Sequence, residues 1–503
     1  MEEKKSSTLN GAAVPDDVKG ELALGETVSK QECQSELVSG STAEPKLRLK
    51  IDFHVMPLVS IIYLLCFIDR ANIGNARVAG LEKDLGMSGY QYNTCLSIFY
   101  ISYILFEIPL NMCCKWIGPG WFIPVCCIGF GVCTIGTAYV KDFSQLCALR
   151  FLLGIFEAPM LPANAYYLSR WYRRSELTFR LSLFIISASL AGAFGGLLAS
   201  VILRLPGIGS VHSWQMIFLI EGVVTVIVEF IALATLTDRP ESAIWLTEEQ
   251  KTLAADRVTS ERIGTTEVID QYTRKKFMAG ITSPVAITTS IIFLLNNITV
   301  HGLSFFLPTI VQTIFPERTV TDQQLLTVPP YALGTVMCLI FCFLSWRLDK
   351  RGIFLIMFAP FSMIGYSMFL ATSAAHVRYA ATFLPVCGIF AYGAMTNSHV
   401  SANLVSDTAR SSGIAFTVMI SNFGGLISTW AFLPFDSPRY RIGNGLNLAA
   451  QSTIFILAVG KYFWIRTTNK KRASRNVEAE LNGLSVAEIQ DLDWHHPGFR
   501  FRN

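Results

Sequence analysis

The chain has 503 residues, 51% of them hydrophobic and only 16% charged, with a formal net charge of +4. A water-soluble domain carries roughly a quarter of its residues as charges, so a mean hydropathy of +0.43 excludes an ordinary soluble enzyme and makes lipid the expected solvent. No long basic stretch gathers the small positive charge, which argues against nucleic acid as a partner. The twelve cysteines lie mostly in apolar stretches, as in Cys113-Cys114 and Cys126-Cys127, and no CxxC pair occurs. They read as small buried apolar side chains, not as a metal site or a disulfide framework, and no cofactor is expected.

In chain order, residues 1–50 form a polar tail expected to be disordered. It lacks the apolar core of a signal peptide, so the first helix must act as its own insertion signal. A spanning helix needs about 20 mainly apolar residues to cross about 30 Å of hydrocarbon. Stretches of that length recur near 55–79, 93–113, 120–140, 146–168, 180–203 and 214–236. After a polar break they resume near 284–310, 325–346, 353–372, 379–398, 412–434 and 445–466. The expected organisation is an N-terminal half at 51–237, a central loop at 238–280, a C-terminal half at 281–467 and a tail at 468–503.

Lys and Arg near the helix ends set the orientation. Lys46, Arg48 and Lys50 precede helix 1, and Arg170, Arg173 and Arg174 fall between helices 4 and 5. Arg347, Lys350 and Arg351 fall between helices 8 and 9, and Lys470, Lys471 and Arg472 follow helix 12. With an even number of spans all of these lie on one side, so both termini are expected in the cytosol. The sequon at Asn297 falls within helix 7 and should be unused. An all-α membrane protein in two six-helix halves suggests the major facilitator architecture, with a substrate site near the bilayer midplane between the halves. Arg347-Leu348-Asp349-Lys350-Arg351-Gly352 resembles the loop motif of that superfamily, and Lys115-Trp116-Ile117-Gly118-Pro119 is a degenerate counterpart. Helix 5 carries Gly192, Gly195 and Gly196, which permit close helix packing.

Ionisable side chains at mid-membrane cost about 2.5–3.5 kcal/mol each on insertion scales, so the few present need a partner or a task. Asp69 and Arg70 interrupt helix 1 about midway. They are either an ion pair that fixes packing or an anion-binding guanidinium with an acidic neighbour that controls its availability. Guanidinium matches a carboxylate with a planar fork and keeps its charge. In helix 4, Arg150 and Glu157 are seven residues apart, two turns on nearly one face. Glu157, followed by Pro159 and Pro162, is a candidate to load and release a proton, while Arg150, nearer the outer end, suits gating or structure. Tyr103, Asn297, His301 and Asn422 are candidates to line a polar cavity, with interhelical hydrogen bonds as the alternative. Glu107, Glu221 and Glu229 fall nearer the cytosolic half or the helix ends and read as structural.

These segments together resemble the anion:cation symporter family of the major facilitator superfamily, in its fungal allantoate, nicotinate and pantothenate permease branch. The resemblance runs from about residue 47 to the C-terminus. It rests on Ile68-Asp69-Arg70-Ala71-Asn72-Ile73-Gly74-Asn75-Ala76, Gln91-Tyr92-Asn93-Thr94, Phe106-Glu107-Ile108-Pro109 and Gly154-Ile155-Phe156-Glu157-Ala158. Phe306-Leu307-Pro308-Thr309, Gln324-Leu325-Leu326-Thr327-Val328-Pro329, Asp436-Ser437-Pro438-Arg439-Tyr440 and Pro497-Gly498-Phe499-Arg500-Phe501 complete it in order. The resemblance implies Arg70 and Tyr103 for substrate, Asp69 and Glu157 for protons, and a polar contact from Asn422. It also implies the plasma membrane, a monomer, and a small organic anion moved with protons. Asn397-Ser398-His399-Val400-Ser401-Ala402-Asn403 departs from the tryptophan and Asn-rich segment of many fungal members, so the carboxylate itself stays unnamed. Two rivals remain open at this point: proton-driven efflux of an organic-acid metabolite, and a nutrient sensor that binds without transporting. No nucleophile–base pair, metal cluster or phosphate loop suggests an enzyme.

Overall fold

The computed structural model describes residues 43–263, 273–348, 350–481, 483 and 486–502. Most of the tail expected at 1–50, part of the central loop, and Asp349 of the loop motif lie outside the described residues. Among the described residues twelve helices are long and apolar enough to cross a bilayer. They are α1 (Glu44–Val78), α2 (Gln91–Ile117), α3 (Pro119–Thr137), α4 (Phe143–Trp171), α5 (Leu183–Ile202) and α6 (Trp214–Thr235), then α7 (Pro284–Ile314), α8 (Val320–Ser345), α9 (Arg351–Ala371), α10 (Ala375–Ala402), α11 (Thr408–Ser428) and α12 (Arg441–Ala473). Among the described residues no strand forms beyond one isolated bridge between Ile208 and Val211. An all-helical chain is what hydrocarbon demands, because each helix satisfies its own backbone polar groups. Outward-facing side chains such as Trp121, Val132, Ile227, Phe230, Ile231 and Ile456 are exposed and supply the apolar belt.

The helices form two sets of six, which meet where α1 packs on α7, α2 on α11, and α5 on α8 and α10. The face where α1 starts and α12 ends is here the near face; α2 starts at the far face. Contacts between the halves are tight toward the far face. Asn93 donates to the Thr429 carbonyl at 2.6 Å, Trp430 donates to Ser97 at 2.8 Å, and Gln324 donates to the Asn75 carbonyl at 3.2 Å. Glycine makes this approach possible: a Cβ on Gly74 would stand 2.5 Å from the Phe305 carbonyl oxygen. One on Gly196 would stand 2.3 Å from the Thr327 hydroxyl and one on Gly192 would meet the Tyr331 ring, so these two glycines of α5 serve its contact with α8.

On the near face each half has its own cover. A helix at Glu248–Ile263 lies against the N-terminal half. Its Arg257 pairs with Glu176 at 2.7 Å and with Glu44 at 3.1 Å, and Arg173 pairs with Glu44 at 2.7 Å. Arg180 holds Asp52 through two bonds of 2.7 Å. These pairs and the buried Leu47 and Ile51 extend α1 well back of residue 55, so Lys46, Arg48 and Lys50 lie within the helix rather than before it. Over the C-terminal half, the Asp493 carboxylate accepts from the backbone of Val405 and Ser406 at the start of α11. Asn469 of α12 exchanges two hydrogen bonds with the backbone of Phe501, at 2.7 and 2.9 Å.

In the first half, Asp238 does what the degenerate loop motif cannot. Its carboxylate accepts from the Gly120 backbone at 3.1 Å at the start of α3 and from Arg170 at 2.5 Å at the end of α4. One side chain thereby caps a helix with favourable charge and ties three spans together.

Candidate functional site

A cavity of about 630 Å³, including its opening, lies between the two sets of helices. Arg70, Tyr103, Cys66 and Phe67 line it from α1 and α2, and Asn296, Asn297, His301, Ser421 and Asn422 face them from α7 and α11. Phe293 and Phe390 add apolar wall.

Arg70 is the residue around which this wall is built. It is 5% exposed, and its guanidinium lies 4.9 Å from the Phe67 ring centre and 5.3 Å from those of Phe99 and Tyr103. Its counter-ion is Glu157, itself 1% exposed. The Arg70 Nε donates to Glu157 Oε1 at 3.2 Å, and Nη2 lies 3.1 Å from the same oxygen. The Cys66 thiol donates to the same oxygen at 2.8 Å, while Oε2 has no partner. A buried pair of this kind is neutral as a whole, and removing either member leaves an uncompensated charge at a cost of about 3–5 kcal/mol.

Local sequence explains where Glu157 sits. The α4 helix runs in two pieces, Phe143–Glu157 and Met160–Trp171. Pro159 and Pro162 lack the N–H that would continue the backbone ladder, so the span breaks one residue after Glu157. Discontinuous helices at mid-depth recur at transporter binding sites.

Asp69 and Arg70 do not share a site. Consecutive residues of a helix point about 100° apart, and Asp69 faces away from the cavity into the N-terminal half. It is 2% exposed, with the hydroxyls of Thr134 and Thr225 and the Arg150 guanidinium as neighbours. Arg150 is also buried in that compartment, 5.7 Å from the Phe218 ring centre, and its Nε has no hydrogen-bond partner among the described residues. The structure thus brings Arg70, Tyr103, Asn297 and Asn422 to the cavity, places Glu157 behind Arg70, and sets Asp69 and Arg150 apart.

The polar residues of the C-terminal half are partly engaged. Asn297 donates to the Ser421 carbonyl at 3.3 Å, and Asn422 donates to Glu107 at 2.9 Å. His301 packs on Tyr100 with ring centres 5.3 Å apart. Glu107, read from sequence as structural, therefore joins the two halves beside the cavity. Its signal was its position four residues after Tyr103, which puts both on one face of α2. Cys66, four residues before Arg70, carried the same kind of signal. Among the described residues no cluster of side chains could hold a metal ion.

Comparison with known proteins agrees with this architecture. Residues 59–429 match the family model described as Major Facilitator Superfamily. The high-affinity nicotinic acid transporter of Saccharomyces cerevisiae is 30% identical over 460 residues, covering 91% of this chain and 85% of that protein. An uncharacterized transporter of Schizosaccharomyces pombe is 32% identical over 464 residues, covering 91% and 90%. The MFS-type transporter efuF of Hormonema carpetanum is 30% identical over 450 residues, covering 89% and 91%. Among solved structures, the xylose transporter XylE from E. coli in a partially occluded inward-open conformation aligns with a TM-score of 0.62 at 13% identity, covering 80% of this chain and 98% of that one. A bacterial homologue of the human lysosomal transporter Spinster, inward-facing, aligns at 0.61 and 16% identity, covering 82% and 96%. These two likenesses bear on the fold alone.

Proposed function

The chain belongs to the Major Facilitator Superfamily, and on that premise we propose that this membrane transporter carries a small organic carboxylate together with protons, by alternating access. The branch we assign is the anion:cation symporters, supported by the nicotinic acid transporter among its relatives. The observation that carries the reading is a single one: the Arg70 guanidinium faces the cavity while its ion-pair partner among the described residues is Glu157.

A guanidinium in that position can exchange one carboxylate for another. When Glu157 takes a proton, the internal pair loses its charge attraction, and Arg70 becomes available to a substrate carboxylate in the cavity. The unpartnered Glu157 Oε2 is the atom suited to take that proton. Return of the proton to the cytosol restores the Arg70–Glu157 pair and expels the anion. A ligand drives such a cycle only if it binds the two states unequally, and here the inequality is Arg70's choice of partner. We read 51–237 and 281–467 as the two moving bodies, with both termini cytosolic, in the plasma membrane, and with the monomer as the working unit.

The test is initial-rate uptake of radiolabelled carboxylates (nicotinate, pantothenate, biotin, allantoate and sugar acids in competition) at two pH values. Arg70→Ala should abolish uptake. Glu157→Gln should lose accumulation driven by a proton gradient while still exchanging substrate. Wild-type rates in Arg70→Ala would refute the assignment, and faster export than uptake by cells carrying the protein would turn the reading to efflux.

A further inference from the structure

The two walls of the cavity differ in what they can offer a ligand. On the α1 side stands Arg70, whose guanidinium donates and cannot accept. Facing it are Asn296 and Asn297 of α7 and Ser421 and Asn422 of α11. Each of these four already donates into the protein. The Asn296 amide nitrogen donates to the Ile389 carbonyl of α10 at 2.9 Å, and that of Asn297 to the Ser421 carbonyl at 3.3 Å. Asn422 donates to Glu107 at 2.9 Å, and the Ser421 hydroxyl donates to the Val418 carbonyl of its own helix at 2.7 Å.

A backbone carbonyl only accepts, so it fixes which end of the amide of Asn296 and of Asn297 turns toward it. The oxygens are left over. Among the described residues no hydrogen bond reaches the side-chain oxygen of any of the three asparagines, and Asn296 Oδ1 is an unpartnered atom of a residue with 0% exposure. Ser421 has spent its one hydrogen and keeps only lone pairs. His301 is the adaptable member of this wall, since its ring can accept or donate and its Nδ1 has no partner.

Ties between helices would account for the amide nitrogens alone. They do not account for a cavity wall whose unused capacity is mostly acceptor. A ligand that displaces water from such a wall without bringing a donor leaves buried oxygens unpaired, which is unfavourable. The charge of that donor is also constrained. Among the described residues no carboxylate lines the cavity, so an ammonium would have no counter-ion, and a second carboxylate would meet lone pairs. We propose that the Asn296, Asn297, Ser421 and Asn422 wall sets specificity, and that the cargo carries a neutral N–H or O–H donor at the end opposite its carboxylate. The cargo is then a hydroxy or N–H-bearing acid, and neither a dicarboxylate nor a plain monocarboxylate.

This inference rests on the carboxylate reading above, and its test separates the two. Purified full-length protein is titrated with paired probes, and the rise in melting temperature with concentration gives apparent affinities. The pairs are meta-hydroxybenzoate with meta-methoxybenzoate, the para pair, and γ-hydroxybutyrate with γ-methoxybutyrate; benzoate controls for the bulk of the methyl group, and isophthalate supplies a second carboxylate. The hydroxy acid of at least one pair should bind about tenfold or more tighter than its ether, benzoate or isophthalate. In S421A, whose lost bond lies within one helix and so spares the fold, that ratio should shrink by about threefold or more. N297A should shrink it as well, and Arg70→Ala should abolish binding of both members. Equal affinities within every pair, a ratio unchanged in both wall variants, or no binding by any hydroxy compound would each overturn the proposal. If acids bind whether or not they carry the hydroxyl, the donor requirement fails and the carboxylate reading stands. If meta-hydroxybenzamide binds as well as the acid while meta-methoxybenzamide does not, the carboxylate reading fails and the acceptor wall stands.

Discussion

Asn422 donates its side-chain amide to Glu107 at 2.9 Å, joining α11 to α2 beside the cavity. The same contact lies on the near-face side of Gly425, which packs on Tyr100, so it ties the halves together between the cavity and the near face. A hydrogen bond to a charged group contributes about 1.5–3 kcal/mol. Asn422→Ala should therefore lower uptake efficiency by about tenfold or more, while Glu107→Gln, whose amide oxygen still accepts, should stay within about threefold of wild type. Initial-rate kinetics on both variants check this; equal losses would mean that a neutral acceptor at position 107 does not replace the carboxylate.

Arg70→Lys separates charge from shape. Lysine keeps the positive charge but replaces a planar fork with a single ammonium, and cannot place two donors on one carboxylate in the same way. We expect kcat/KM for the carboxylate to fall at least about tenfold with an unchanged melting temperature. Full activity would mean that the site reads charge alone.

Gly74→Ala tests the far-face seal. The added methyl would stand 2.5 Å from the backbone oxygen of Phe305, and backbone yields poorly to such a contact. The expected result is a protein biased toward opening at the far face. A cysteine placed at Trp430 should then react faster with a membrane-impermeant maleimide in the Gly74→Ala background than without it. Equal labelling would show that α1 and α7 shift to absorb the methyl.

Asp493→Ala removes the carboxylate that accepts from the backbone of Val405 and Ser406, at 3.1 and 2.8 Å. These donors lie just before α11, whose own N-cap is the Ser406 side chain, and leaving them unsatisfied costs about 1–3 kcal/mol. A fall in melting temperature of about 2–4 °C is expected, measured on detergent-purified protein, with transport kinetics affected far less than by the cavity variants. An unaltered melting point would show that the tail contributes nothing to the stability of the C-terminal half.

Much of this was legible in the sequence, and for a physical reason. Hydrocarbon tolerates so few arrangements that a run of about 20 apolar residues announces a span, and a charge inside one announces a site. Arg70 and Glu157 were visible on those grounds and do meet. Direction was harder. Asp69 and Arg70 are neighbours in the chain, yet the turn of the helix sends one into the N-terminal half and the other to the cavity, so adjacency in sequence is not adjacency in the site. Glu107 and Glu221 look alike as isolated glutamates in apolar stretches. Only the packing of α2 on α11 and of α6 on α1 reveals that one bridges the halves while the other meets Asn72. The start of α1 was misplaced because its first two turns are held by ion pairs with Arg173 and Arg257, far apart in the chain, which no local pattern reports.

The near-face covers have a practical corollary for anyone handling the gene. The helix at Glu248–Ile263 fastens to the first six spans, and the ordered end around Asp493 and Phe501 fastens to the last six. Cutting the open reading frame between codons 263 and 273 would leave every clasp on the fragment that needs it. Two co-expressed fragments should accordingly recognise one another in the bilayer and restore growth or uptake that neither supports alone.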